Sequence, residues 1–294
     1  MATTPLVKVE QSATASKVDW LSIGWFGALL IACYAPILYR MANQWANDEN
    51  MGHGFFVPLV AGYIVWERRA QLAATPVKTN WWGLAIVIFG GLLSVVATLG
   101  VELFTARLSF VIALTGTVLF LCGTQWIKIL SFPLALLLFM IPIPAIIYSA
   151  LTLRLQMLAS ELGEILITAM GIPVLREGNT LRLPSQTLDI VDACSGIRSL
   201  LSLLFLSLVY TYFTDKKVWM RWALLAATIP IAICANGIRV AVTGLLSEIN
   251  TKLASGAYHE TEGYIVFVVA LAALIATHRV LNIVAKKFGK PAAS

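Results

Sequence analysis

The sequence predicts an all-α polytopic membrane protein with about eight transmembrane helices. Both termini are expected in the cytoplasm, with an amphipathic helix and a short β-hairpin on the outer face. Three observations carry this. The 294 residues are 59% hydrophobic and 12% charged, where soluble domains carry about a quarter charged residues. Apolar runs recur at roughly 18–22 residues, which suits ~30 Å of hydrocarbon at 1.5 Å per residue. Lys and Arg gather in alternate connecting segments, as the positive-inside rule requires of a chain with a cytoplasmic N-terminus.

The elements follow in order. Residues 1–19 are a polar cytoplasmic tail carrying Lys8 and Lys17. A first span covers about 20–39, and a shorter apolar run at 54–66 ends in Glu67-Arg68-Arg69. Spans follow at 81–100, 105–123 and 127–147, the last broken by Pro133 and the IPIP of 141–144. In 148–171, Arg154, Glu161, Glu164 and Thr168 share one helical face, so this helix lies along the interface or faces the bundle interior. PVLREGNTLRLPSQTLDIV (173–191) alternates about Gly178-Asn179 and reads as a hairpin. Residues 148–193 thus form an extracytoplasmic helix and hairpin; a spanning 148–171 would instead move the hairpin to the cytoplasm, and the sequence leaves open whether 148–171 and 54–66 span. Three more spans, at 194–213, 219–244 and 263–282, complete a membrane domain over 20–283, and 284–294 is a cytoplasmic tail.

The net charge of +6 is spread between spans rather than gathered in one patch, which argues against nucleic acid and for membrane lipid as the basic residues' partner. Cys33, Cys122, Cys194 and Cys234 show no metal or redox spacing. No metal ligand set is predicted. Cys33, Cys122 and Cys234 lie inside apolar runs and read as small apolar filler. LIAC at 30–33 has the form of a lipoprotein cleavage site, but a long acidic-containing head precedes it and apolar sequence continues past Cys33.

Cys194 differs. In DACSGIRSL (192–200), Asp192 is a candidate N-cap and Cys194 falls in the first helical turn, where free N–H groups stabilise a thiolate. Arg198, four residues on, adds positive field on the same face. Two further polar features meet this surface in the predicted topology. CANGIRV (234–240) puts Arg239 in apolar sequence, where an arginine faces protein or water rather than lipid. YHETEGYIVF (258–267) puts His259 at the start of the last span. A cysteine, an arginine and a histidine on three segments suit acyl transfer, as nucleophile, oxyanion stabiliser and proton shuttle. Ser195 is an alternative nucleophile, but no G-x-S-x-G surrounds it. HExxH is not matched after His259. Each of these polar residues also has an ordinary structural reading as a cap or a snorkelling side chain.

ACSGIR at 193–198, NGIR at 236–239 and HETEG at 259–263 together resemble the exosortase family and its archaeal relatives. GHGFFVPLV at 52–60, with Trp66 and Arg68-Arg69, and the REGNTLRLP hairpin extend the resemblance over roughly 20–283. The resemblance implies a membrane cysteine transpeptidase or protease at the outer face of the bacterial inner membrane. Its expected substrates are exported proteins bearing a C-terminal tripartite signal: a Pro-Glu-Pro-type motif, an apolar helix and a basic tail. By position, Cys194 is the nucleophile, Arg239 the polarising cation and His259 the proton shuttle. Asp192 and Asn236 support them, and no cofactor is implied. Arg198, Arg182 and Arg176 are candidates to pair the motif's glutamate, and His53 is a further candidate contact. The acceptor that resolves the thioester is open. The chain ends soon after the last span, so it resembles the shorter members that lack a soluble C-terminal domain. A transporter with polar residues at helix breaks, a cysteine-dependent acyl or lipid transferase and an assembly factor are the competing readings.

Overall fold

The computed structural model describes residues 20–190, 196–215, 217–250 and 257–288. Ten α-helices and one small sheet are present among them. They are α1 (Trp20–Asn47), α2 (Phe56–Glu67), α3 (Arg69–Ala74), α4 (Trp81–Leu99), α5 (Leu103–Cys122), α6 (Thr124–Leu136) and α7 (Ala145–Ala169), then strands β1 (Leu175–Glu177), β2 (Thr180–Arg182) and β3 (Thr187–Asp189), then α8 (Ile197–Thr214), α9 (Val218–Ile249) and α10 (Ala257–Phe288). A 3-10 turn, Glu49–Phe55, follows α1, and a second, Leu137–Met140, ends α6.

Six helices are long and apolar enough to cross a bilayer: α1, α4, α5, α8, α9 and α10. A seventh span arises if α6 and α7, separated by the Pro142–Pro144 break, count as one broken crossing. This is a multi-pass helical membrane protein. The short 54–66 run, whose spanning the sequence leaves open, forms the 12-residue α2, about 18 Å long against ~30 Å of hydrocarbon. The expected hairpin gains a strand. β1 and β2 pair antiparallel through Arg176↔Leu181, and β3 joins the free edge of β2 through Leu181↔Leu188.

The chain divides into two compact units. The first holds the described residues up to Gln44 and Gly54–Ile141. Its centre is the α4–α5 pair, where small residues let two backbones touch. A Cβ on Gly116 would stand 2.8 Å from the Val87 nitrogen and 2.9 Å from the Gly83 oxygen, and one on Gly90 would stand 3.1 Å from Ala113. With no hydrophobic drive between helices in lipid, such close packing holds them together. Tyr34 of α1 donates its hydroxyl to the Gly90 carbonyl at 3.2 Å, and Arg68 ties the end of α2 to the Ile129 carbonyl of α6 at 2.8 Å. Gly116→Ala is expected to destabilise the protein by about 1–3 kcal/mol through overpacking. Gly91→Ala, with nothing within 4 Å of its Cβ position, is expected to be neutral or slightly stabilising. Thermal unfolding in detergent micelles reads both; equal midpoints would refute the close-approach account.

The second unit holds Trp45–His53 and the described residues from Pro142 onward. Leu155 of α7, Ile197, Leu200 and Leu203 of α8, Met220, Leu224 and Ala232 of α9, and Ala270 and Leu274 of α10 form one core cluster. In α7 the buried positions Thr152, Leu155, Gln156, Ala159, Ser160, Gly163 and Ile167 trace one stripe, while Arg154, Glu161 and Thr168 are exposed and Glu164 is half-buried. The polar face predicted for 148–171 is therefore outward, and the buried stripe packs against α9. Gly163 lies under Val240, Gly237 under Leu162 and Gly244 under Ile167, each with a Cβ position within 2.6 Å of the neighbour. The sheet caps this crossing. Leu181 and Ile190 are buried with Ile167, Val240 and Ala241. Ser160 donates to the Gly178 carbonyl at 2.9 Å, and the Ser185 N–H donates to Glu248 at 3.0 Å. Helices α9 and α10 each run 32 residues, about 48 Å against ~30 Å of hydrocarbon, so their ends project from the bilayer.

Candidate active site

The sequence motifs converge through glycines. Gly196, the glycine of ACSGIR, has φ +76° and stands as N-cap of α8, which begins at Ile197, so the cap falls here rather than at Asp192 and position 194 precedes the first turn. Its backbone lies directly on Asn236 of NGIR; a Cβ there would be 2.6 Å from the Asn236 Cγ. Only glycine meets both demands, a left-handed backbone and no side chain. Asn236 and Gly237 are buried in α9 where it crosses α7. The two motifs are therefore in contact, although forty residues of sequence separate them.

Arg239 lies one turn beyond Asn236 and reaches α10. The Cβ position of Gly263 is 3.1 Å from Arg239 Nη2 and 3.2 Å from Cζ, so the absent side chain makes room for the guanidinium. Position 259, in the first turn of α10, precedes Gly263 by one helical turn. Glu262, only 8% exposed, accepts a 2.7 Å hydrogen bond from the Thr243 hydroxyl, one turn beyond Arg239 on α9. Thr243 lies outside the sequence motifs, and Glu262 lies within HETEG without a role assigned to it from sequence. The available signal is an acid three residues after His259 in a segment about to enter lipid, where a carboxylate needs a partner.

The chain on either side of the cysteine motif is also seated on α9. Ile190 shares a core cluster with Val240 and Ala241, and Gly196 rests on Asn236. These contacts flank Arg239. Asp192, Cys194 and Ser195 themselves lie outside the described residues, as does the side chain of His259.

The substrate-contact candidates take separate places. Arg198, in the first turn of α8, donates from Nε to the Asn50 side-chain oxygen at 3.4 Å. The same 3-10 turn carries half-buried His53, whose ring lies 6.3 Å from that of Phe205 on α8. The 49–53 segment thus accompanies the first three turns of the helix that leaves the cysteine motif. Arg176 and Arg182 belong to the sheet and are internally paired, Arg176 with Glu164 of α7 at 2.6 Å and Arg182 with Glu177 at 2.8 Å. Among the described residues no group of three or more His, Cys, Asp and Glu is placed to hold a metal ion.

A low-dielectric, glycine-lined corner with an arginine and an asparagine as donors is suited to stabilising negative charge that develops on a reacting oxygen. No curated protein and no solved structure matches the chain. The family model of the transmembrane exosortases matches residues 45–276, which include all three motifs and most of the 294 residues. The chain belongs to the transmembrane exosortase family.

Proposed function

We propose that this exosortase is a cysteine transpeptidase or protease that removes the C-terminal sorting signal of exported proteins at the outer face of the bacterial inner membrane. Family membership supports a membrane transpeptidase role related to protein sorting. The observation that carries the finer reading is the contact of Gly196 with Asn236, joined to that of Arg239 with Gly263. Three chain segments bearing a cysteine, an arginine and a histidine are thereby drawn toward one end of α8, α9 and α10.

In this reading the Cys194 thiolate attacks the carbonyl carbon of the scissile peptide bond. Arg239 faces the oxyanion of the tetrahedral intermediate. As the C–N bond breaks, His259 gives its proton to the departing amine, and the acyl group remains on sulfur as a thioester. Water, an amine or a lipid hydroxyl then attacks the thioester carbonyl, the C–S bond breaks, and the incoming group's proton passes to His259. Water as acceptor makes the enzyme a protease; an amine or lipid makes it a transferase. The proposed signal is a Pro-Glu-Pro-type motif, an apolar helix that enters the bilayer beside the enzyme, and a basic tail.

The test is co-expression with a reporter carrying such a tail. Expected are loss of the tail and a covalent enzyme–reporter adduct released by neutral hydroxylamine, the signature of a thioester. An intact reporter, together with solute flux in proteoliposomes, would replace this reading with the transporter.

Recognition of the motif's glutamate is separable. Arg198, Arg182 or Arg176 replaced by Gln is expected to slow processing about tenfold where that arginine makes the contact, the scale of one charge-assisted bond. The loss should vanish when the reporter's glutamate is Gln. Equal loss with both reporters marks a structural role, which the pairing of Arg176 with Glu164 and of Arg182 with Glu177 makes the alternative outcome for those two.

A further inference from the structure

A second polar cluster lies at the far end of the same helices. His278 of α10 is 6% exposed and both of its ring nitrogens are engaged. Nδ1 is 2.8 Å from the Tyr210 hydroxyl of α8. Nε2 is 2.7 Å from the Asn282 amide nitrogen and 3.4 Å from Asp215 Oδ2, in the turn between α8 and α9. Asp215 is itself fixed. Its Oδ1 accepts the Lys217 N–H at 2.8 Å, and its carbonyl accepts from Arg221 Nε and Nη2 at 3.0 and 2.9 Å. His278 is 19 residues beyond His259, about 28 Å along the helix, so the cluster plays no part in the proposed chemistry.

With the Asn282 amide nitrogen turned toward it, Nε2 is an acceptor and Nδ1–H donates to Tyr210, the hydrogen-bond pattern that suits a neutral ring. A proton added at Nε2 would face the Asn282 amide donor to donor. The N–H then has Asp215 Oδ2 as its acceptor, already aimed at it. The Asp215 carboxyl is held below the usual carboxylate range, first by the Lys217 backbone N–H, against the opposing cost of burial; a protonated His278 lowers it further. The carboxyl is therefore an anion through the range where histidine generally changes charge. The two arrangements differ in what they hold. In the neutral one Nε2 is bonded within α10. In the protonated one α10 is tied to the α8–α9 turn by a charge-assisted bond. The titratable and charged groups facing His278 among the described residues are Tyr210 from α8, Asp215 from the turn, and Lys217 and Arg221 behind Asp215 at the start of α9.

We infer that Tyr210, Asp215, His278 and Asn282 form a proton-responsive clamp, in which protonation of His278 fastens the end of α10 to the α8–α9 turn. The helices it joins are those that leave the cysteine motif and carry His259, so the clamp sets how firmly the two move as one body.

Amide hydrogen exchange on the purified full chain in detergent, at pH 7.5 and 5.5 and corrected for intrinsic rates, tests this without reference to activity. Residues 274–285 are expected to gain about tenfold protection on acidification, the equilibrium change of one charge-assisted bond. The gain should disappear in His278→Gln and in Asp215→Asn, which keeps the shape and capping oxygen but removes the charge. A wild-type response that is absent or reversed, or that persists unchanged in Asp215→Asn, overturns the clamp. Reporter processing measured alongside addresses the proposed function separately, since either result can fail while the other stands.

Discussion

Cys194→Ala is expected to abolish tail removal, with a loss of at least ~1000-fold at matched membrane levels, because no other group supplies the thioester. The accompanying controls are Cys33→Ala and Cys234→Ala, both exposed cysteines in spanning helices, which should process as wild type. The hydroxylamine-sensitive adduct should vanish with Cys194 alone. Arg239→Ala and His259→Ala are expected to lose most activity without this all-or-none character, as an oxyanion partner and a proton shuttle each contribute about 100- to 1000-fold. Unimpaired processing by Cys194→Ala would end the cysteine mechanism and favour the transporter and assembly-factor readings.

The second large effect is expected at a residue with no reactive group. Gly196→Ala meets two penalties at once. Its φ of +76° costs an L-residue about 1–2 kcal/mol, and the new Cβ falls 2.6 Å from Asn236 Cγ. The backbone two residues after Cys194 must then move off α9, and a displacement of that kind typically lowers rate about 100-fold. The double substitution Gly196→Ala with Asn236→Gly opens the space but leaves the φ strain. Tail removal should recover partially relative to Gly196→Ala if the steric clash outweighs the backbone strain. Wild-type processing by Gly196→Ala would show that the contact between the two motifs does not position the cysteine.

Both predictions turn on information of different origin. Three polar clusters in apolar sequence were legible as candidate chemistry because a membrane makes polar residues costly, so their presence asks for a reason. The spans of α4, α5, α8, α9 and α10 were legible because their length and hydropathy match a bilayer, and lipid imposes helices by leaving no other partner for backbone groups. The same logic placed α7 and located the turn at Gly178-Asn179. It left 54–66 open, because an apolar run of thirteen residues says nothing of whether a helix continues. It also missed β3, whose pairing with β2 is decided by contacts across Pro184 and Ser185 rather than by local pattern.

What the sequence determined by itself is the class: a polytopic helical membrane protein with a cysteine, an arginine and a histidine in family-specific motifs. Only the tertiary structure decided that Gly196 and Asn236 touch, that Gly263 yields its place to Arg239, that Glu262 is held by Thr243, and that Arg176 and Arg182 answer to Glu164 and Glu177. It also gathered Tyr210, Asp215, His278 and Asn282 at the far end of the bundle. The reason is physical. Hydropathy and helical period act along the chain and are written in neighbouring residues. Close approach at a glycine, or the partner of a buried charge, is set by the relative rotation and depth of helices that are distant in sequence, and those are fixed only when the whole interface is packed.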